Sequence, residues 1–145
     1  MYDTKYGNTK LVAEKIVEGL NQVEGIEAAI TDVESAKPDD VSRYDAILIG
    51  SPNHMGNPAR SIVRFVDELG KFDLGGKKAA VFDTYLGKDY GKVVKKIEDN
   101  IRKKTKLALS SPGLSIKVDG MKGPVSEGEL PKSRDFGVNI GNQLL

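Results

Sequence analysis

The chain has no cysteine, which excludes disulfides, thiol catalysis and cysteine-ligated metal sites. Aromatic residues are few at 6% and aliphatic ones dominate, so the core is built mainly from branched side chains. No apolar run approaches the roughly 18 residues that would suggest a membrane span. No secretory pattern follows Met1, which leads directly into polar sequence, and a cytoplasmic location is the expectation. Neither charge sign prevails: the net charge is +1, which argues against general nucleic-acid binding. At 145 residues the chain reads as one domain, 1–145, large enough for a single core.

What is present is a series of apolar runs separated by glycine-rich and polar loops. Leu11, Val12, Ile16 and Leu20 recur at helical spacing, predicting a helix over Thr9 to Asn21. Ile26, Ala28 and Ile30 alternate as a short strand after Gly25, and Val41 to Tyr44 forms a helical turn. Asp45 to Gly50 and Lys78 to Phe82 are short, nearly continuous apolar runs of the kind buried on both faces of a parallel sheet. Ile62, Phe65, Val66 and Leu69 mark a second helix, with Asn57 as its cap and Pro58 at its first position. Val93, Val94, Ile97 and Ile101 line a third, on which Tyr90 is expected to pack. Between Lys88 and Lys106 it carries eight basic residues against three acidic ones, read as a solvated face. Leu107 to Leu109 and Leu114 to Val118 make a final strand interrupted by Ser-Ser-Pro-Gly, and Leu130, Phe136, Ile140 and Leu144 face inward from a last helix. Strands alternating with helices give a doubly wound α/β fold with helices on both faces of a parallel sheet.

Chemistry concentrates in three loops. The first is Thr4, Lys5, Tyr6, Gly7, Asn8 and Thr9, at the entrance to the first helix. Helix N-termini present unpartnered N–H groups and a dipole that favours anions, and Gly7 permits close backbone approach. A phosphate site and a simple capped helix start are both open readings of these residues. The second loop is Ser51, Pro52, Asn53, His54, Met55 and Gly56. The third is Asp83, Thr84, Tyr85, Leu86 and Gly87. His54 is the only histidine, either an exposed loop residue or a ligand contact, and Met55 is equally readable as loop filler. No Walker-type or dinucleotide glycine motif, nucleophile elbow or cluster of metal ligands competes with these loops.

Thr4 to Thr9 resembles the phosphate loop of the flavodoxins, Ser/Thr-x-Thr-Gly-Asn-Thr, with Tyr6 at the third position. Gly50 to Leu69 is similar to the family's Gly-Ser/Thr-Pro-Thr-x-x-Gly loop and the Phe-x-Asp-x-Leu helix after it. Phe82 to Gly87 resembles the Phe-Gly-Ser-Tyr-Gly-Trp loop of flavodiiron flavodoxin domains, with Asp83 where glycine is common and Leu86 breaking the Tyr-Gly step. Met121 to Pro124 with Gly128 to Leu130 is similar to the tail of short flavodoxins. The resemblance implies a three-layer sheet of order 2-1-3-4-5, with FMN at the switch point between the first and third strands. That rule is known from flavodoxin itself and is applied here without derivation.

The resemblance further implies that Thr4 to Thr9 hold the phosphate and that Ser51 to Gly56 lie along the isoalloxazine. Tyr85 would stack on or flank the ring, while Thr84 and Gly87 would offer backbone hydrogen bonds. It implies an electron carrier exchanging with redox protein partners, as a monomer or homodimer. Two alternatives stand beside it: an FMN-dependent NAD(P)H:quinone oxidoreductase, and a truncated scaffold that holds no flavin. Family members open on a buried strand of about five apolar residues, each contributing roughly 1.5–3 kcal/mol. Only Met1, Tyr2 and Asp3 precede Thr4, so the first strand is expected to be truncated, by an upstream start or with another chain supplying it.

Overall fold

A computed structural model describes all residues, 1–145, and shows a parallel sheet between two helical layers. Helix α1, Asn8–Asn21, is followed by a 3-10 turn, Pro38–Arg43, and strand β1, Ala46–Pro52. Helix α2, Arg60–Leu69, leads to β2, Lys78–Tyr85, and then to α3, Lys92–Lys104. Two short strands, β3 (Ala108–Leu109) and β4 (Leu114–Lys117), precede helix α4, Glu129–Gln143.

The central strand is β2. It pairs in parallel with β1 on one side, Ala46 opposite Lys78 through Pro52 opposite Thr84. On its other side β3 pairs first and β4 continues the same line, Phe82 opposite Leu114 through Tyr85 opposite Lys117. The expected interrupted strand is therefore real: Ser110 to Gly113 bulges away between the two pieces. Gly113 lies so close to β2 that an added Cβ would meet the Val81 carbonyl oxygen at 2.3 Å.

Beyond β1 the sheet continues through one residue. Tyr2 bridges Gly50 on one side and Asp32 on the other, both in parallel. Its N–H donates to Thr31 O, its carbonyl accepts from Val33 N–H, and the neighbouring Asp3 N–H donates to Gly50 O. Counting these bridges, the lateral order is that of the expected 2-1-3-4-5 sheet. The strand expected over Ile26 to Ile30 does not form. Pairing on that edge begins only at Asp32, because no backbone lies beside the preceding residues to complete a ladder.

Strand alternation divides the core into two layers. Ile49, Ala79 and Val81 pack against Ile62, Phe65, Leu69, Val93, Ile97 and Ile101 of α2 and α3. Ala80, Phe82 and Ile116 point the other way, onto Val12, Ala13, Ile16 and Leu20 of α1 and Ile140 of α4. Ile140 of α4 joins this layer and Phe136 and Leu144 pack partly buried against it, as expected. Of Leu130, Phe136, Ile140 and Leu144 only Ile140 is fully buried, and the close approach is made by glycines. A Cβ on Gly19 would meet Arg134 O at 2.0 Å, and one on Gly137 would meet Ile16 O at 2.1 Å. Glycine lets the two backbones touch, so the longer side chains flank the contact.

Candidate functional site

The three expected loops converge at the carboxyl end of the sheet, since parallel strands release their following loops on one side. The first loop follows Tyr2, the second follows β1 and the third follows β2. Gly7 occupies the N-cap of α1 in the left-handed conformation, φ +90°, and an added Cβ there would meet open space. No side chain caps this helix end. The first intrahelical bond runs from Leu11 N–H to Gly7 O, so the N–H groups of Asn8, Thr9 and Lys10 remain for an anion. The Thr4 hydroxyl accepts Gly7 N–H at 2.9 Å and thereby fixes the loop. Asp3 reinforces it, accepting Thr4 N–H at 2.7 Å and the Ser61 hydroxyl at 2.5 Å. Tyr6 stands exposed above this end, with the Lys5 and Lys122 ammonium groups 5.5 and 5.9 Å from its ring centre.

Several expected contact side chains are turned inward. The Thr9 hydroxyl is buried and bonded to that of Thr84 at 3.0 Å, tying the first loop to the third. The Ser51 hydroxyl accepts Ala59 N–H at 2.9 Å and donates to Pro52 O. Helix α2 begins later than expected, at Arg60 with Ala59 as N-cap and no side-chain cap bond, so Pro58 lies before it and Asn57 instead closes a turn with His54. Asp83 is fully buried. Its carboxylate accepts the Ser115 hydroxyl at 2.5 Å and Val94 N–H at 3.0 Å, and loss of solvation pushes its pKa up to about 6. Ser115 also accepts Gly91 N–H through the same hydroxyl. These groups satisfy backbone and neighbours first, and what they offer a ligand is main chain.

The outward residues are Asn53 to Met55 and Tyr85 to Gly87, while Gly56 is buried. His54 and Asn57 exchange two backbone hydrogen bonds across a tight turn whose central residues, Met55 and Gly56, have φ +55° and +83°. Methionine is a poor fit to that region, and Met55 is the only non-glycine residue in the chain with positive φ. It is also 96% exposed at the tip of the turn. Asn53 holds the turn from below, accepting Gly56 N–H at 2.6 Å and donating to Asp89 at 3.2 Å. Lys96 reaches from α3 to Gly56 O at 2.7 Å and Asn57 Oδ1 at 2.8 Å, so the basic face of that helix is partly committed to the loop.

Tyr85 is half-buried and meets Tyr90 edge-to-face, ring centres 5.5 Å apart. Burial raises the Tyr85 pKa. Tyr90 is 71% exposed, so the expectation that it packs within its helix fails: it precedes α3, and the left-handed Gly91 turns it to the loop side. Asp89, Lys96, Tyr90 and Gly123 are the supports that sequence reasoning missed. A Cβ on Gly123 would meet Asn8 Oδ1 at 2.5 Å, which brings the loop after β4 against the phosphate loop. The one usable signal for Gly123 was its place in the Met121 to Pro124 motif.

Comparison with known proteins agrees with this arrangement. A family model described as a flavodoxin domain matches residues 1–116. The chain belongs to the flavodoxin family. It is 38% identical over 90 residues to a flavodoxin of Aquifex aeolicus, covering 60% of this chain and 49% of that protein. It is 26% identical over 147 residues to the type A flavoprotein of Rhodobacter capsulatus, covering 99% of this chain and 32% of that one. The matched stretch thus spans half or less of these curated relatives. Among solved structures, an archaeal flavodoxin superposes with TM-score 0.84 at 23% identity, covering 99% of this chain and 94% of that one. Flavodoxin 1 of Bacillus cereus superposes with TM-score 0.83 at 24% identity, covering 99% and 96%. The cofactor of the family is FMN, and the uncapped α1 end at Gly7 suits its phosphate.

Proposed function

We propose that residues 1–145 form one FMN-binding domain that carries electrons between separate redox proteins in the cytoplasm. The observation that supports this most is the meeting of an uncapped helix end, an aromatic pair and a strained, exposed turn at one end of the sheet. Thr4 to Thr9 would hold the phosphate, chiefly through backbone N–H groups. Ser51 to Gly56 and Asp83 to Gly87 would flank the ring, with Tyr85 supplying a flat apolar surface. When bound, FMN supplies one- or two-electron redox chemistry. The protein's own contribution is binding, orientation and exclusion of water, and no side chain in these loops is required as an acid or base.

The visible spectrum of the purified chain, taken after FMN addition and desalting, tests this reading. A retained flavin spectrum supports it, and flavin lost entirely on desalting opposes it. The reductase alternative predicts steady-state NAD(P)H oxidation with a quinone, where a carrier shows none.

A further inference from the structure

A cleft of about 300 Å³ lies between α3 and the Ser110 to Gly113 bulge, and none of the expected flavin-contact residues lines it. Glu98 of α3 lines it and is only 6% exposed. Its Oε2 is the one buried side-chain oxygen or nitrogen in the chain without a hydrogen-bond partner. Oε1 makes no hydrogen bond either but is not shut away, so it is the oxygen that the cleft reaches. Nearly all buried polar groups are paired, and an unpaired buried carboxylate is costly. The terminal carboxyl torsion is broad, so a modest rotation offers either oxygen to the cleft.

The charges around Glu98 follow from helix spacing. Lys95 stands three residues before it and Arg102 four residues after it, so all three share one face of α3 and line the same cleft. Both cations are exposed, and neither pairs with Glu98. Arg102 donates to Asp99 at 3.4 Å, and the Lys95 ammonium has no partner. On the bulge, no backbone group of Ser111, Pro112 or Gly113 is bonded within the chain. Ser115 lines the cleft as well, but its hydroxyl is already engaged by Asp83 and Gly91. The cleft thus joins one buried acceptor without a donor to a free cation one helical turn away.

We propose that this cleft binds a small ω-amino acid, its ammonium on Glu98 and its carboxylate on Lys95, with Arg102 beside them. An ammonium brings the donors and the positive charge that the Glu98 carboxylate lacks. The unbonded carbonyls of Ser111 and Pro112 are further acceptors for it. One helical turn, about 5.4 Å, separates acid from cation, and a spacer of roughly three methylenes sets the ligand's charges that far apart. An α-amino acid holds its charges closer together. A simple amine leaves the two cations without a counter-ion, and a simple carboxylate is repelled by Glu98. The volume stands at the lower end of the range for small-molecule sites, which suits so small a ligand.

The test is an amide NMR titration of the full chain with 4-aminobutyrate, butylamine, butyrate and glycine in turn. 4-Aminobutyrate is expected to shift the amides of Lys95, Glu98, Arg102, Ser111 and Gly113 saturably. It should bind about ten-fold or more tightly than the other three, each of which loses or misplaces one charge-assisted contact. Glu98→Gln keeps the shape of the side chain and removes its charge, and should weaken 4-aminobutyrate by about ten-fold or more. Lys95→Ala alters only an exposed side chain without a partner, and should weaken it in the same direction with the fold intact. Absence of saturable shifts with 4-aminobutyrate overturns the proposal, as does unchanged affinity in either variant. Butylamine binding as tightly as 4-aminobutyrate also overturns it, leaving a site for cations alone. Equal destabilisation by Glu98→Gln and Arg102→Gln without any ligand response overturns it too, in favour of an ion pair within α3.

Discussion

At the carboxyl ends of β1 and β2, every buried polar side chain of the three loops has a partner, and the loops are tied to one another. Thr9 meets Thr84, Asn53 meets Asp89, and Ser115 meets both Asp83 and Gly91. At the amino end of β1, Ala46, Ile47 and Leu48 are only half-buried. The same strand is thus fully buried at Ile49 and half-buried at Leu48. Donor chemistry and family likeness both point to the carboxyl end as the candidate site. The lesson is that the loop end is ordered by hydrogen bonds between its own side chains as well as by burial.

The largest expected contrast comes from truncating those two neighbours. Ile49→Ala should cost about 3 kcal/mol in urea unfolding, because it leaves a hole in a closed layer. Leu48→Ala should cost about 1 kcal/mol or less, since much of its surface is already wet. Equal losses would mean that Leu48 is as closely packed as Ile49 and would dissolve the comparison.

Asp83 sharpens the other side. Its folded pKa, about 6, stands above the unfolded value of 3.8, so the folded state holds the proton more tightly between them. Stability is therefore full below about pH 4 and falls as pH rises to about 6, by up to about 3 kcal/mol before levelling. Asp83→Asn should flatten that slope in unfolding curves recorded across the range. A slope unchanged by the substitution would show that another group governs it. Thr9→Val leaves the Thr84 hydroxyl buried and unpaired, and should destabilise by about 1.5 kcal/mol. A neutral result by thermal unfolding would mean that the cross-loop tie carries little. Smallest, and opposite in sign, is Met55→Gly, which relieves the positive φ and should stabilise by about 0.5–1 kcal/mol. Loss of stability there would point to packing that the 96% exposure of Met55 does not suggest.

Much of this was readable before any coordinates. Alternation of apolar runs with helical periodicity placed all four helices and the strands β1 and β2 within a few residues, since burial on one or both faces writes itself into spacing. The Thr-Lys-Tyr-Gly-Asn-Thr run and the two later loops were correctly grouped, because parallel βα units deliver every such loop to the same edge. The edge strand over Ile26 to Ile30 was not, because a strand needs a neighbour, and its own alternation says nothing of whether one is there. The close glycine approach of α1 to α4 was also illegible. Glycine contacts leave no hydrophobic stripe, so Gly19 and Gly137 gave no signal beside Leu130 and Phe136.

Order along the chain determined the α/β class, and the resemblance of its motifs to a known family implied FMN and the three loops that meet at one edge of the sheet. Which hydroxyls and carboxylates turn inward was decided only by tertiary structure. Ser51, Thr9 and Asp83 have the same donors and acceptors wherever they lie. A buried N–H at Ala59 or Val94, or a second buried hydroxyl, claims them because an unpaired polar group away from water costs more than a ligand contact forgone.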